Sequence, residues 1–153
     1  MINKDIFENL IRERFKNIRG IEIGTLRGET AMHLLDRFRN LELFAIDKLP
    51  DRITLANNIQ QFNERIRIIE LPSDKAYRLF DSDIDFVWID GDHEYEQVKR
   101  DIKNYLPLVR KGGFIGGHDY GSPDYTGVKK AVDESFEKEK LNIGEDFTWW
   151  IFL

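Results

Sequence analysis

Residues 21–38 read Ile21-Glu22-Ile23-Gly24-Thr25-Leu26-Arg27-Gly28-Glu29-Thr30-Ala31-Met32-His33-Leu34-Leu35-Asp36-Arg37-Phe38. Ile21 and Ile23 flank Glu22 at the period of a short strand. The glycine-bounded stretch Gly24 to Gly28 allows a sharp bend, and Ala31, Leu34, Leu35 and Phe38 then share one helical face. Strand, turn, helix is the order, and it recurs outward from this stretch. Towards the amino terminus, Ile6, Phe7, Leu10, Ile11 and Phe15 recur at helical spacing. They predict an amphipathic helix within residues 1–18 that covers one face of a sheet and ends before Gly20.

Towards the carboxyl terminus the periods keep switching. Leu41 to Ile46 reads as a strand, 51–62 as a helix, Ile66 to Leu71 as a strand, Lys75 to Phe80 as a short helix and Ile84 to Ile89 as a strand. Val98, Ile102, Tyr105, Leu106 and Val109 mark a helix from Tyr95, bent by Pro107 and ended by Gly112 and Gly113. Phe114 to Gly117 forms a fifth strand, Val128 to Phe136 a helix, and Leu141 to Leu153 two closing strands. Strands alternating with helices predict an α/β fold. It is a doubly wound, Rossmann-like, mostly parallel seven-stranded sheet with an antiparallel C-terminal strand.

A length of 153 residues gives one domain, 1–153, with enough chain to bury a core, and no stretch approaches the apolar length of a membrane span. Met1 to Phe7 mixes Lys4 and Asp5 with apolar residues, unlike a secretory signal. With 28 acidic against 23 basic residues, the net charge of −5 argues against nucleic acid as the partner. There is no cysteine, which excludes disulfides, thiolate metal sites and a cysteine nucleophile. A cytoplasmic location is the expectation, with no membrane partner, a small-molecule ligand and room for a homo-oligomer.

In an open sheet of this kind, ligands sit beyond the carboxyl ends of the strands, where the strand order reverses. Four strand ends carry residues of interest. The Gly24-x-x-x-Gly28 turn can bring backbone N–H groups to a ligand, but Leu26 replaces the middle glycine of a dinucleotide fingerprint. Asp47, about 20 residues further on, is placed to accept hydrogen bonds from a ribose diol, while Asp51 is the better helix cap. Ile89-Asp90-Gly91-Asp92-His93-Glu94-Tyr95 crowds three acids and an imidazole behind an apolar strand. Capping accounts for Asp92 and Glu94 and leaves Asp90 and His93 for proton transfer or cation binding. Gly117-His118-Asp119-Tyr120 supplies a second polar group, and together Asp90, His118 and Asp119 make a candidate divalent-cation site.

Glu22 to Thr25, Asp47, Asp90 to His93, Lys111 to Gly113 and Gly117 to Tyr120, in this order, resemble class I S-adenosylmethionine-dependent methyltransferases. The likeness is closest to the family-24 type, akin to macrolide sugar O-methyltransferases and the catechol O-methyltransferase group. The resemblance covers about residues 20–136. It implies that Glu22, Gly24, Thr25 and Gly28 hold the methionine part of the cofactor, Asp47 its ribose, and Ser73 and Asp74 its adenine. Asp90 would lie at the amino acid end of the cofactor. It would also ligate Mg2+ or another divalent cation together with His118 and Asp119, although metal-dependent relatives usually carry an acid at the position of His118. His93 matches a general base of the sugar-modifying relatives, which makes O-methylation of a small-molecule hydroxyl the expected reaction. The first helix, Tyr120 to Tyr125, Trp149 and Trp150 are the expected acceptor contacts. A nicotinamide-dependent oxidoreductase, a metal-dependent hydrolase and a non-catalytic nucleoside-binding module are the competing classes.

Overall fold

In the computed structural model of the protein, residues 4–11 and 16–153 are described. Met1 to Asn3 and the expected helical residue Phe15 lie outside them. The strands are β1 (Ile18–Ile23), β2 (Leu41–Ile46), β3 (Ile66–Ile69), β4 (Ile84–Ile89), β5 (Val109–Gly117), β6 (Asn142–Ile143) and β7 (Trp149–Phe152). The helices are α1 (Lys4–Ile11), α2 (Glu29–Arg37), α3 (Arg52–Ile59), α4 (Ser73–Ala76), α5 (Tyr95–Tyr105) and α6 (Thr126–Ser135). The seven strands form one sheet in the order β3-β2-β1-β4-β5-β7-β6. β1 to β5 pair in parallel, whereas β7 is antiparallel to both β5 and β6.

Apolar periodicity decides which helix covers which face. Leu10 and Ile11 of α1, Ala31, Leu34 and Leu35 of α2, and Leu55 and Ile59 of α3 share one core with Phe86 and Trp88 of the sheet. Ala76 of α4, Val98 and Ile102 of α5, and Val128 and Val132 of α6 share the other with Ile21, Ile23, Val87 and Ile89. β4 is buried along its whole length, as a central parallel strand covered on both faces must be. Because β1 leads to β2 and β3 on one side and β4 starts on its other side, the strand order reverses between β1 and β4. That is where the crevice of a doubly wound sheet opens. Among the described residues, no helix is long and apolar enough to cross a membrane.

The expected helix to Val109 ends earlier. α5 stops at Tyr105, a short 3-10 turn carries Pro107 near its start, and Val109 is already extended and paired with Ile84. Proline suits the first turn of a new helical segment and interrupts the interior of an existing one, so the chain leaves the helix there. Gly112 and Gly113 therefore lie inside β5 rather than before it. Between the Ile84–Val109 and Phe86–Phe114 pairs the strand bulges. Gly112 takes up φ +85°, which only glycine adopts freely, and donates its N–H to the carbonyl of Leu153.

Candidate functional site

Backbone hydrogen bonds hold the strand tips together: Gly24 N–H donates to Ile46 O at 2.8 Å, Asp90 N–H to Ile23 O at 2.9 Å and His118 N–H to Ile89 O at 3.2 Å. A cavity of about 340 Å3 opens over them. Its wall includes Gly24, Asp47, Ser73, Asp90, His93 and Gln97. Asp47 and Asp90, expected from separate strands, thus face one crevice.

The glycine turn is built by close approach. Gly24 has φ +90°, and a Cβ there would come within 2.2 Å of the Asp90 carbonyl, so the tips of β1 and β4 meet this closely only without a side chain. Leu26 follows at φ 42°, a left-handed conformation that is costly for a branched residue. Asp47 holds it there: Oδ2 accepts from Leu26 N–H at 2.8 Å while Oδ1 accepts from Leu49 N–H at 2.9 Å. Each carboxylate oxygen keeps lone-pair capacity towards the crevice. As expected, Asp51 rather than Asp47 caps α3, accepting from Thr54 N–H at 3.2 Å.

Glu22, Thr25 and Gly28 support the turn from behind and are not part of the cavity wall. Glu22 is 2% exposed and accepts from the Thr25 hydroxyl at 2.5 Å. Burial, with the Asp90 and Asp47 charges adding to it against the Thr25 bond, pushes its carboxyl up to about 8. It carries a proton at neutral pH. Gly28 is the N-cap of α2.

His93 lies three residues beyond Asp90 and folds back over the tip of β4. Its Nε2 is 2.9 Å from Asp119 Oδ2 and 3.8 Å from Asp90 Oδ1. The nearer contact lies off the hydrogen-bonding axis of the ring, so it is an ionic approach rather than an aligned bond. Pairing with Asp90, against the opposing effect of burial, and the Asp119 charge hold the imidazole above its ordinary pKa. The Tyr125 ring stacks on it, with centroids 4.0 Å apart and planes at 20°. Asp119 occupies a left-handed turn with φ 65°, a region that Asp tolerates better than most residues.

Asp90, His93 and Asp119 each present a ligand atom within 4.8 Å of the others. The sequence pointed to Asp90, His118 and Asp119 for this role. In the structure His93 is the imidazole of the trio, because its loop turns back over β4. His118 Nδ1 lies 3.3 Å from the other carboxylate oxygen of Asp119, and its Nε2 is buried without a hydrogen-bond partner among the described residues.

Ser73 and Asp74 line the crevice, and behind them stands a residue that sequence reading missed. Asp101, wholly buried, accepts from the Ser73 hydroxyl at 2.6 Å and from Gln97 Nε2 at 2.9 Å. Burial pushes its carboxyl up to about 6, against the two hydrogen bonds. The signal was present: Asp101 interrupts the otherwise apolar face Val98, Ile102 and Tyr105 of α5. The expected aromatic acceptor contacts fare differently. Trp149 is fully buried beside Phe136, Trp150 packs on the opposite core, and the Tyr120 hydroxyl donates to Asp133. Of the aromatics expected to meet an acceptor, Tyr125 is the one that touches His93.

A family model described as a methyltransferase domain matches residues 21–120, from β1 through the Asp119 turn. The chain belongs to the methyltransferase-domain family. The match takes in both halves of the crevice. An uncharacterized protein of Acanthamoeba polyphaga mimivirus, R132, is 32% identical over 127 aligned residues, and the match covers 75% of this chain and 58% of that relative. The chain thus matches little more than half of that relative's length. Among solved structures, a Staphylococcus aureus protein provisionally named a caffeoyl-CoA O-methyltransferase superposes with a TM-score of 0.79 at 19% identity, covering 99% of this chain and 83% of its own. CalS11, a TDP-rhamnose 3'-O-methyltransferase of calicheamicin biosynthesis, gives 0.78 at 13% identity, covering 98% and 78%. The S-adenosylhomocysteine-bound methyltransferase PaMTH1 of Podospora anserina gives 0.70 at 18% identity, covering 96% and 75%. These likenesses establish a shared fold.

Proposed function

We propose that this chain uses S-adenosylmethionine to methylate a hydroxyl group of a small-molecule acceptor. The observation that carries the reading is the crevice over the tip of β1, where Asp47 faces the ligand space from the tip of β2 on one side and Asp90 and His93 from the tip of β4 on the other. Asp47 receives the ribose hydroxyls, Ser73 and Asp74 the base, and the Gly24 turn with Asp90 the amino acid end. The acidic rim, with Asp74, Asp90 and Asp92 against Lys48, disfavours a phosphate backbone as acceptor.

The chemistry is a displacement at carbon. The acceptor oxygen bonds to the methyl carbon, the carbon–sulfur bond breaks, and its electron pair stays on sulfur to give S-adenosylhomocysteine. His93 Nε2 takes the hydroxyl proton, and the carboxylates of Asp119 and Asp90 stabilise the imidazolium that forms. Holding oxygen and methyl in line supplies much of the remaining acceleration.

One observation favours a second role for the same residues. Two carboxylates and an imidazole converge within 4.8 Å, and the buried His93 Nε2 lacks an aligned acceptor, so Asp90, His93 and Asp119 fit a divalent cation. Bound there, a cation would supply Lewis-acid polarisation of the acceptor hydroxyl. The single lone pair of Nε2 serves either the ion or the proton, which makes the two roles exclusive. Chelator that leaves turnover intact supports His93 as base; turnover lost to chelator and restored by Mg2+ or Mn2+ supports the cation.

Native mass spectrometry of protein purified without added ligand tests the cofactor. Retained S-adenosylmethionine or S-adenosylhomocysteine is the expected result. A panel of hydroxylated metabolites then identifies the acceptor. Nucleoside binding without methyl transfer to any of them would favour a binding module, and NAD in place of the sulfonium would favour an oxidoreductase.

A further inference from the structure

The wall behind the nucleoside site carries an asymmetry in its hydrogen bonding. Ser73 has one hydroxyl proton, and Asp101, an acceptor through both oxygens when ionised, takes it at 2.6 Å. Gln97 Nε2 donates towards both Ser73 Oγ, at 3.0 Å, and Asp101 Oδ1, at 2.9 Å. The amide orientation is fixed from the other side, because Gln97 Oε1 accepts from Arg100 at 2.9 Å. With its proton committed to Asp101, Ser73 turns only lone-pair density towards the crevice. Asp74 beside it is a carboxylate and also offers acceptors. A ligand edge meeting this wall is matched when it carries N–H and mismatched when it carries a carbonyl oxygen. Asp101 itself is fully buried and is not part of the cavity wall, so it acts through the wall residues it holds, Ser73 and Gln97.

We propose that Asp101 is a positioning residue that fixes the Ser73 hydroxyl as an acceptor and thereby makes the site select a nucleoside base with an exocyclic amine over the same base with a carbonyl. The inference rests on the crevice being the nucleoside site and goes beyond it by naming what sets the base preference. Rejecting a hydrogen-bonding mismatch in a buried site leaves groups unpaired, an effect much larger than a simple loss of contact area.

The test is calorimetric titration with two probes, S-adenosylhomocysteine and its 6-oxo counterpart S-inosylhomocysteine. Wild type is expected to bind the amino form at least about tenfold more tightly. Asp101→Ala removes the acceptor that takes the Ser73 proton, freeing the hydroxyl to donate into the crevice, and the ratio is expected to fall towards one. Ser73→Ala, which leaves the buried position untouched, is expected to lower the ratio as well, mainly by weakening the amino form. A merely structural role for Asp101 would weaken both probes equally and keep the ratio. Equal binding of both probes by wild type, or a ratio unchanged in both variants, overturns the inference while leaving the nucleoside site standing. Binding of neither probe by wild type overturns the site itself, and the inference with it.

Discussion

Asp85, at the amino end of β4, is 2% exposed; it accepts from Arg19 N–H at 2.7 Å and pairs with the Arg110 guanidinium. Near the crevice, Glu22 in β1 and Asp101 in α5 are equally buried, at 2% and 0%, and the groups around them are a threonine, a serine, a glutamine and further acids. The same residue class is therefore neutralised by cations where it ties strands together and left to burial where the crevice opens. Buried acids without a cationic partner cost stability, and natural proteins concentrate such costs at functional sites. The contrast separates the end of the sheet that serves the fold from the end that serves a ligand.

The largest way to sharpen the contrast is at His93. His93→Ala is expected to lower methyl transfer by about 10²- to 10⁴-fold, the usual contribution of a general base, with nucleoside binding retained in calorimetry. Undiminished turnover on the true acceptor would remove His93 from the chemistry.

Glu22 comes next. Its carboxyl titrates near 4.5 when unfolded and about 8 when folded, so between these values the folded protein holds a proton that the unfolded chain has released. Stability should therefore fall as pH rises from 5 to 8, by up to about 1.4 kcal/mol per pH unit from this group. Glu22→Gln has no such titration, and its urea midpoint should gain on wild type with each step upward in pH. Parallel curves would mean that the ionisation of Glu22 is not linked to folding.

Asp85→Ala should behave in the opposite sense. It removes the acceptor for the Arg19 backbone N–H and the partner of the Arg110 guanidinium, and is expected to cost about 1–3 kcal/mol in chemical denaturation at neutral pH, with nucleoside affinity unchanged. A loss of affinity would dissolve the distinction between the two ends. The smallest expected effect is that of Tyr125→Ala. Removing the ring that stacks on His93 should reduce turnover about two- to tenfold, matching the modest worth of an aromatic pair. A larger loss would mean that Tyr125 does more than hold the imidazole.

Much of this was legible before the fold was seen, for reasons that differ by residue. Ile84 to Ile89 is an apolar run broken by Asp85 alone, the mark of a strand covered on both faces, and Asp90 and Asp47 stand at strand ends where a doubly wound sheet puts its ligand. The start of β5 was hidden because long-range pairing with Ile84, rather than local periodicity, makes Val109 extended. The choice of His93 over His118 depends on how two loops from different strands turn towards each other, and spacing along the chain does not encode that. Asp101 was visible as an acid on an apolar helical face, but its partner Ser73 is 28 residues away. The stack of Tyr125 on His93 likewise joins two loops, one before α5 and one before α6.

The central claim is that the tips of β1, β2 and β4 make one nucleoside site, with Asp47 both bracing the Gly24 turn and facing the ligand. Titration calorimetry of S-adenosylhomocysteine into wild type and Asp47→Ala tests it directly. The expected result is one site per chain in wild type, weakened at least about tenfold in the variant as the bonds to Leu26 and Leu49 are lost. Equal affinity in the two proteins, or no binding to wild type, would contradict it.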